Sequence, residues 1–173
     1  VNKVMIVGEA LGANERRDGL PFRPDAEAGG LLERLLHKGG YDRQQFVLWN
    51  ILGCQPPGNK LDGEWYEQEA IEHCKTHFDS VVNRYKPSCI LALGNIPLRT
   101  LTGMAGEKQG ISLLRGFVLH SPGYDIPVVA SFHPSYINRG NKYLSGVLIR
   151  DIGLAIEVAQ LEAEAVRENR ERE

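Results

Sequence analysis

Residues 3–22 read KVMIVGEALGANERRDGLPF. Lys3–Val7 is a short apolar run with β-branched residues, and it stops at Gly8. That pattern predicts a buried strand ending in a loop. The loop carries Gly8, Glu9, Gly12, Asn14, Glu15, Arg16, Arg17, Asp18 and Gly19, and closes on Pro21-Phe22. A helical pattern begins only at about Ala28. A buried parallel strand that releases a glycine-bearing polar loop at its C-terminal end is where α/β sheets place their ligands.

Working outward, Gly29–Lys38 has Leu31, Leu32, Leu35 and Leu36 at helical spacing, closed by Gly39-Gly40. Phe46–Leu52 (FVLWNIL) is a second apolar run with polar Asn50 inside it, followed by the turn-rich Gly53–Asn59. Glu64–Arg84 reads as a long helix. Cys89–Leu93 is a third strand with Gly94-Asn95 directly after it, and Pro97–Leu101 is a short helix. Arg115–His120 is expected as a fourth strand, and Pro127–Phe132 as a fifth that runs into His133-Pro134-Ser135. One helix is expected from about Tyr143 to the end, with an apolar stripe from Leu144 to Ile156 that fades into charge beyond Glu162. Strands alternating with helices predict a three-layer α/β/α fold around a mostly parallel central sheet of about four strands. The expected organisation is one domain over residues 1–156, with 157–173 as a charged helix end or tail.

The totals fit one core: 173 residues, 42% of them apolar. Net charge is −2, a weak argument against a nucleic-acid partner. From Glu157 to Glu173 there are six acids and three bases, net −3, which leaves residues 1–156 at net +1. No run of about 18 apolar residues exists, so no membrane span is expected. Three cysteines, Cys54, Cys74 and Cys89, make no disulfide framework and lead to the expectation of a cytoplasmic protein. The chain opens on Val1, which leaves room for natural residues upstream.

Four strand ends carry polar residues: Gly8-Glu9, Asn50, Gly94-Asn95 and His133-Pro134-Ser135. In a parallel sheet these ends share one edge and can face one pocket. Asn50 offers both a donor pair and an acceptor, which suits the edge of a nucleobase; taken alone, a buried Asn bonded to backbone is the favoured reading. Phe22 could stack on a base or be a core aromatic. His133 could donate to a carbonyl oxygen that gains negative charge, or be a satisfied structural histidine. Glu9 could position a water or balance a developing cation, or be a solvated loop acid. His73, Cys74 and His77 could be read as zinc ligands, but a solvated helix face accounts for them better. The GEALG stretch lacks G-x-G-x-x-G and no P-loop motif exists, which disfavours a nucleotide-cofactor enzyme. Ser135 has no G-x-S-x-G around it, which disfavours a hydrolase nucleophile elbow.

Strand-GEALGxNE…GLPF, the AGGLLERLL helix, WNILGCQPPGN, ILALGN and SFHPSYINR, in this order over residues 3–156, resemble the uracil-DNA glycosylase superfamily. The likeness is nearest to the iron–sulfur (family four) branch and its phage DNA-polymerase-associated relatives. The resemblance implies a monofunctional DNA-repair enzyme that flips uracil out of DNA and hydrolyses its N-glycosidic bond. It implies that Gly8, Ala10, Phe22, Asn50 and His133 bind the base, with Glu9 and His133 catalytic. The Pro56-Pro57 loop and the His133–Arg139 loop, with Ser135, would pinch the DNA, and Tyr136, Ile137 or Arg139 would fill the gap in the stack. Asn95 is counted with these DNA contacts from its place at a strand end, and Arg115, Lys142 and Arg150 as further phosphate contacts. Cys54 and Cys74 match two of the four cysteines that hold a [4Fe-4S] cluster; the other two would come from a C-x-x-C pair upstream, and without that pair no cofactor is expected. Leu11 stands where the family usually has proline. The expected partner is uracil-containing DNA, met as a monomer with a replication partner conceivable. The rival reading is a catalytically silent DNA-binding module of the same fold, associated with replication. A small-molecule binder using the same crevice is a third.

Overall fold

The computed structural model describes residues 3–12, 15–17, 19–104 and 110–173. Asn14 and Asp18 of the opening loop lie outside them. Five strands form one sheet: β1 (Val4–Gly8), β2 (Phe46–Asn50), β3 (Cys89–Leu93), β4 (Val118–Ser121) and β5 (Ile126–Ser131). Their order is β2-β1-β3-β5-β4. The first three and β5 are mutually parallel, and β4 pairs antiparallel on the edge of β5.

Six helices connect and cover the strands: α1 (Glu27–Lys38), α2 (Glu67–Tyr85), α3 (Asn95–Thr102), α4 (Ile111–Leu114), α5 (Pro134–Asn138) and α6 (Ser145–Arg172). Every residue of β1 and β3 is buried, as expected of central strands covered on both faces. Their side chains divide with period two. Val4, Ile6, Leu91 and Leu93 pack with Leu32 and Leu36 of α1 and Leu148 and Ile152 of α6. Met5, Val7, Ile90 and Ala92 pack with Cys74, Phe78 and Val82 of α2 and with Leu101 of α3. The three-layer expectation is met. Strand order reverses at β1, which has β2 on one side and β3 on the other, so the crevice outside the C-terminal ends of these strands is the ligand position of such a sheet.

The fourth strand departs from its expectation. Arg115 is not in it; Ile111–Leu114 is a helical turn, and a turn at Gly116 (φ +78°) separates it from β4. Only Pro122–Asp125 joins β4 to β5, too short for a parallel crossover, so β4 runs antiparallel. It is the strand in excess of about four, and it carries none of the polar strand ends. Glu64–Tyr66 precede α2, which starts at Glu67. The expected division at 156/157 falls inside α6, whose last buried residues are Val158 and Ala159. Among the described residues no helix is long and apolar enough to cross a membrane.

Candidate active site

Parallel register places Gly8 beside Asn50. The ladder runs on past the strand ends, with the Ile51 amide donating to the Gly8 carbonyl (2.9 Å) and the Leu52 amide to the Glu9 carbonyl (2.9 Å). A Cβ at residue 8 would lie 2.5 Å from Asn50 Oδ1 and 2.6 Å from Phe22 Cζ. Glycine is required here because the Asn50 amide and the Phe22 ring meet over its backbone. Across this gap the rings of Phe22 and His133 are 5.8 Å apart and tilted by 31°. The three side chains therefore converge on one hollow at the C-terminal edge of the sheet.

The hollow has a volume of about 490 Å³ and is lined by Glu9, Ala10, Phe22, Asn50, His133 and Ser135, among others. That is within the roughly 300–1,000 Å³ usual for small-ligand sites. It is roomier than one pyrimidine ring, because it continues past Ala26–Ala28 on one side and to Pro56 and Asn59 on the other.

Asn50 is 3% exposed, yet among the described residues no protein group hydrogen-bonds to its amide. Its amide is not among the fully enclosed polar atoms that lack a partner, so it opens into the hollow, and among the described residues no backbone bond satisfies it. Phe22 is buried and has a left-handed backbone, φ +52°.

His133 caps α5. Pro134 occupies the first helical position, and His133 Nδ1 accepts from the Ser135 amide at 3.1 Å. Burial, with a smaller contribution from Arg139, pushes the imidazole pKa down to about 4. The ring is thus neutral at pH 7, and with Nδ1 accepting, its proton is on Nε2. It is a neutral donor.

Glu9 is half-buried, and among the described residues nothing hydrogen-bonds to its carboxylate. Burial raises its pKa above 4.5, as do Asp62 and Glu67, against opposition from Arg99 and Arg139. Arg99 itself bridges Asp62 (3.1 Å) and Glu67 (2.6 Å).

Other expected contacts divide. Ser135 and the exposed Arg139 line the hollow. Pro57 is exposed in the short turn Pro57–Asn59 beside the lining residues Pro56 and Asn59. Tyr136 is exposed with its ring stacked on Phe132, centroids 5.6 Å apart. Ile137 is wholly buried, which excludes it as a filler of the DNA stack. Asn95 is exposed but does not line the hollow; its Oδ1 accepts from the Ile111 amide at 2.9 Å. Arg115 is bound to buried Asp151 rather than presented to phosphate. His73 and His77 are exposed on α2. Two functional candidates escaped the sequence reading. Glu15, buried at the wall, accepts from the Gly12 amide (2.9 Å) and the Arg23 amide (3.3 Å). Arg43 donates to the carbonyls of Pro21 and Phe22. The three-residue spacing of Gly12 and Glu15 is a signal that sequence reading could have used; Arg43 gives none.

Cys54 is exposed and Cys74 buried, and burial together with the nearby Cys74 thiol pushes the Cys54 thiol up. Cys89 is buried within β3, its thiol pushed up to about 12 by burial. Among the described residues no group of three or more His, Cys, Asp or Glu side chains could hold a metal. Two neighbouring thiols fit one side of a four-thiolate cluster site and do not complete it.

The family model described as the uracil DNA glycosylase superfamily matches residues 2–150. The type-4 uracil-DNA glycosylase of Thermotoga maritima is 33% identical over 152 residues, which is 87% of this chain and 74% of that protein. The type-4 uracil-DNA glycosylase of Pyrobaculum aerophilum is 30% identical over 154 residues, 87% of this chain and 75% of that protein. The match spans the strand ends and loops that build the hollow, and the chain belongs to the uracil DNA glycosylase superfamily.

Proposed function

We propose that this chain excises uracil from DNA as a monofunctional glycosylase, acting on a base flipped out of the stack. The observation that carries this reading is the meeting of Phe22, Asn50 and His133 over Gly8. A flipped base would lie against the Phe22 ring, a stacking contact worth about 1–3 kcal/mol. The unpartnered Asn50 amide would pair with the donor and acceptor on the edge of uracil. As the glycosidic bond breaks, negative charge grows on the uracil carbonyl and positive charge on the sugar. The neutral His133 Nε2–H donates to that oxygen, and the Glu9 carboxylate favours the oxocarbenium-like sugar until water attacks. Among the described residues no lysine lines the hollow, which supports hydrolysis without strand cleavage. The working unit in this reading is a monomer. Cys54 and Cys74 would supply two thiolates to an iron–sulfur cluster that helps shape the protein; no step above passes through it.

The test is incubation with a uracil-containing oligonucleotide followed by hot alkali. Strand breaks are expected with the unaltered protein and are expected to fall by at least about 100-fold in Asn50→Ala and His133→Ala. DNA binding without breaks would instead fit the silent module acting beside the replication machinery.

A further inference from the structure

Phe22 has a backbone that a bulky side chain rarely adopts, φ +52°. Such a conformation persists only where its surroundings determine it, and three contacts do so. The Arg43 guanidinium, which follows α1 in the chain, donates through Nη1 to the Phe22 carbonyl and through Nη2 to the Pro21 carbonyl at 2.8 Å. Glu15 accepts from the next amide, that of Arg23. Helix α1 presses on the same peptide through Gly29, where a Cβ would lie 2.1 Å from the Arg23 carbonyl oxygen and 2.4 Å from the Phe22 carbonyl carbon. Arg43 is the only one of these that can grip two successive carbonyls with one planar group. It lies 21 residues from Phe22 and does not itself line the hollow.

We propose that Arg43 is a positioning residue for base recognition: its fork on the Pro21 and Phe22 carbonyls holds the Phe22 ring in place over Gly8 before the base arrives. The inference rests on the stacking role proposed for Phe22. Without the fork, the peptide relaxes toward an ordinary conformation and the ring leaves Asn50 and His133. Lysine cannot replace it, because one ammonium on a flexible stem does not hold two carbonyls in fixed geometry.

A double-mutant cycle tests this, measuring kcat/KM for excision from a single-stranded uracil oligonucleotide, with thermal unfolding as the control on folding. Arg43→Ala is expected to lower kcat/KM by about 10- to 100-fold when Phe22 is present. In a Phe22→Ala background the same change is expected to matter less than about threefold, because the ring that Arg43 positions is gone. Arg43→Lys should fall between, and it replaces Arg43→Ala in the cycle if the alanine variant does not fold. An equal loss in both backgrounds would overturn the proposal and leave Arg43 a stabilising residue only. Unchanged excision in Arg43→Ala would overturn it as well. Full activity in Phe22→Ala would instead sink the stacking role itself, and with it this inference.

Discussion

Burial acts on Glu9 and His133 in the same sense, disfavouring the charged form of each. For His133 this lowers the pKa to about 4, so the folded state binds fewer protons than the unfolded state below the ordinary value of 6.5. Its contribution to stability is complete above pH 6.5 and is lost as pH falls from there toward 4. For Glu9 the pKa rises above 4.5, so the carboxylate is destabilising once the pH exceeds that raised value. Falling pH therefore meets Glu9 before His133. The acid limb of the kcat/KM profile is expected to follow Glu9, at a pKa above the usual glutamate range, with His133 still neutral. Glu9→Gln should remove that limb while lowering the rate by about 100-fold. It should also raise Tm at pH 7, with the gain fading as pH falls from the raised pKa toward 4.5 and absent below it, where both forms are uncharged. A profile whose limb survives in Glu9→Gln would show that another group sets it. That Glu9 sits at a functional edge could be read from its place after a strand. Its raised pKa could not, because its main cause, burial, and its lesser ones, Asp62 and Glu67 more than fifty residues away, are supplied only by the fold.

The elements that hold the site were legible where a local pattern decides them. Burial of every residue of β1 and β3 follows from continuous apolar runs, and Gly8 and His133 follow strands because those runs stop there, whereas Asn50 ends β2 although its apolar run goes on to Leu52. The fourth strand was misplaced because its direction depends on a hairpin, not on its own residues. The stripe of α6 was incomplete for another reason: one of its buried positions is an acid. Asp151 is 1% exposed and accepts from Ser131 Oγ (2.6 Å) and from the Arg115 guanidinium (3.0 Å to Nε). Hydrophobic periodicity passes over such a residue, since only its partners explain it. The network ties α6 to the end of β5, two residues before His133. Removing Asp151 takes the acceptor from Ser131 and the partner from Arg115, whose side chain is 26% exposed and can turn to water, at a cost of about 1–3 kcal/mol. Asp151→Ala is expected to lose about that much in chemical denaturation, while Asp151→Asn, which keeps the Ser131 contact, loses less. Equal stability of Asp151→Ala and the parent would show that the pair contributes nothing.

The charge of the whole molecule bears on how DNA can approach. With 20 basic and 22 acidic residues, there is no broad cationic field to attract it. Among the described residues the hollow is lined by Glu9, Glu15 and Glu27 against one base, Arg139. An acid-rich pocket suits a cationic sugar and repels phosphate, so the backbone must be met at the rim. Arg115, which sequence offered for that role with Lys142 and Arg150, is occupied by Asp151, and among the described residues Arg139 is the base that lines the hollow. Each phosphate neutralised contributes about −0.7 to the slope of log affinity against log salt for a single strand. A site that meets DNA with one or two bases should thus show a slope of only about −0.7 to −1.4, far shallower than that of a protein with a basic face. Arg139→Ala should reduce the slope by about 0.7 and weaken binding alike for all flanking sequences, because a phosphate contact carries no base information. Titrating binding of an Asn50→Ala protein to a labelled uracil oligonucleotide across salt, with and without Arg139→Ala, measures this without turnover. An unchanged slope would mean that Arg139 faces the base rather than the backbone, and that the uniform loss expected across sequences should give way to a loss confined to uracil-containing strands.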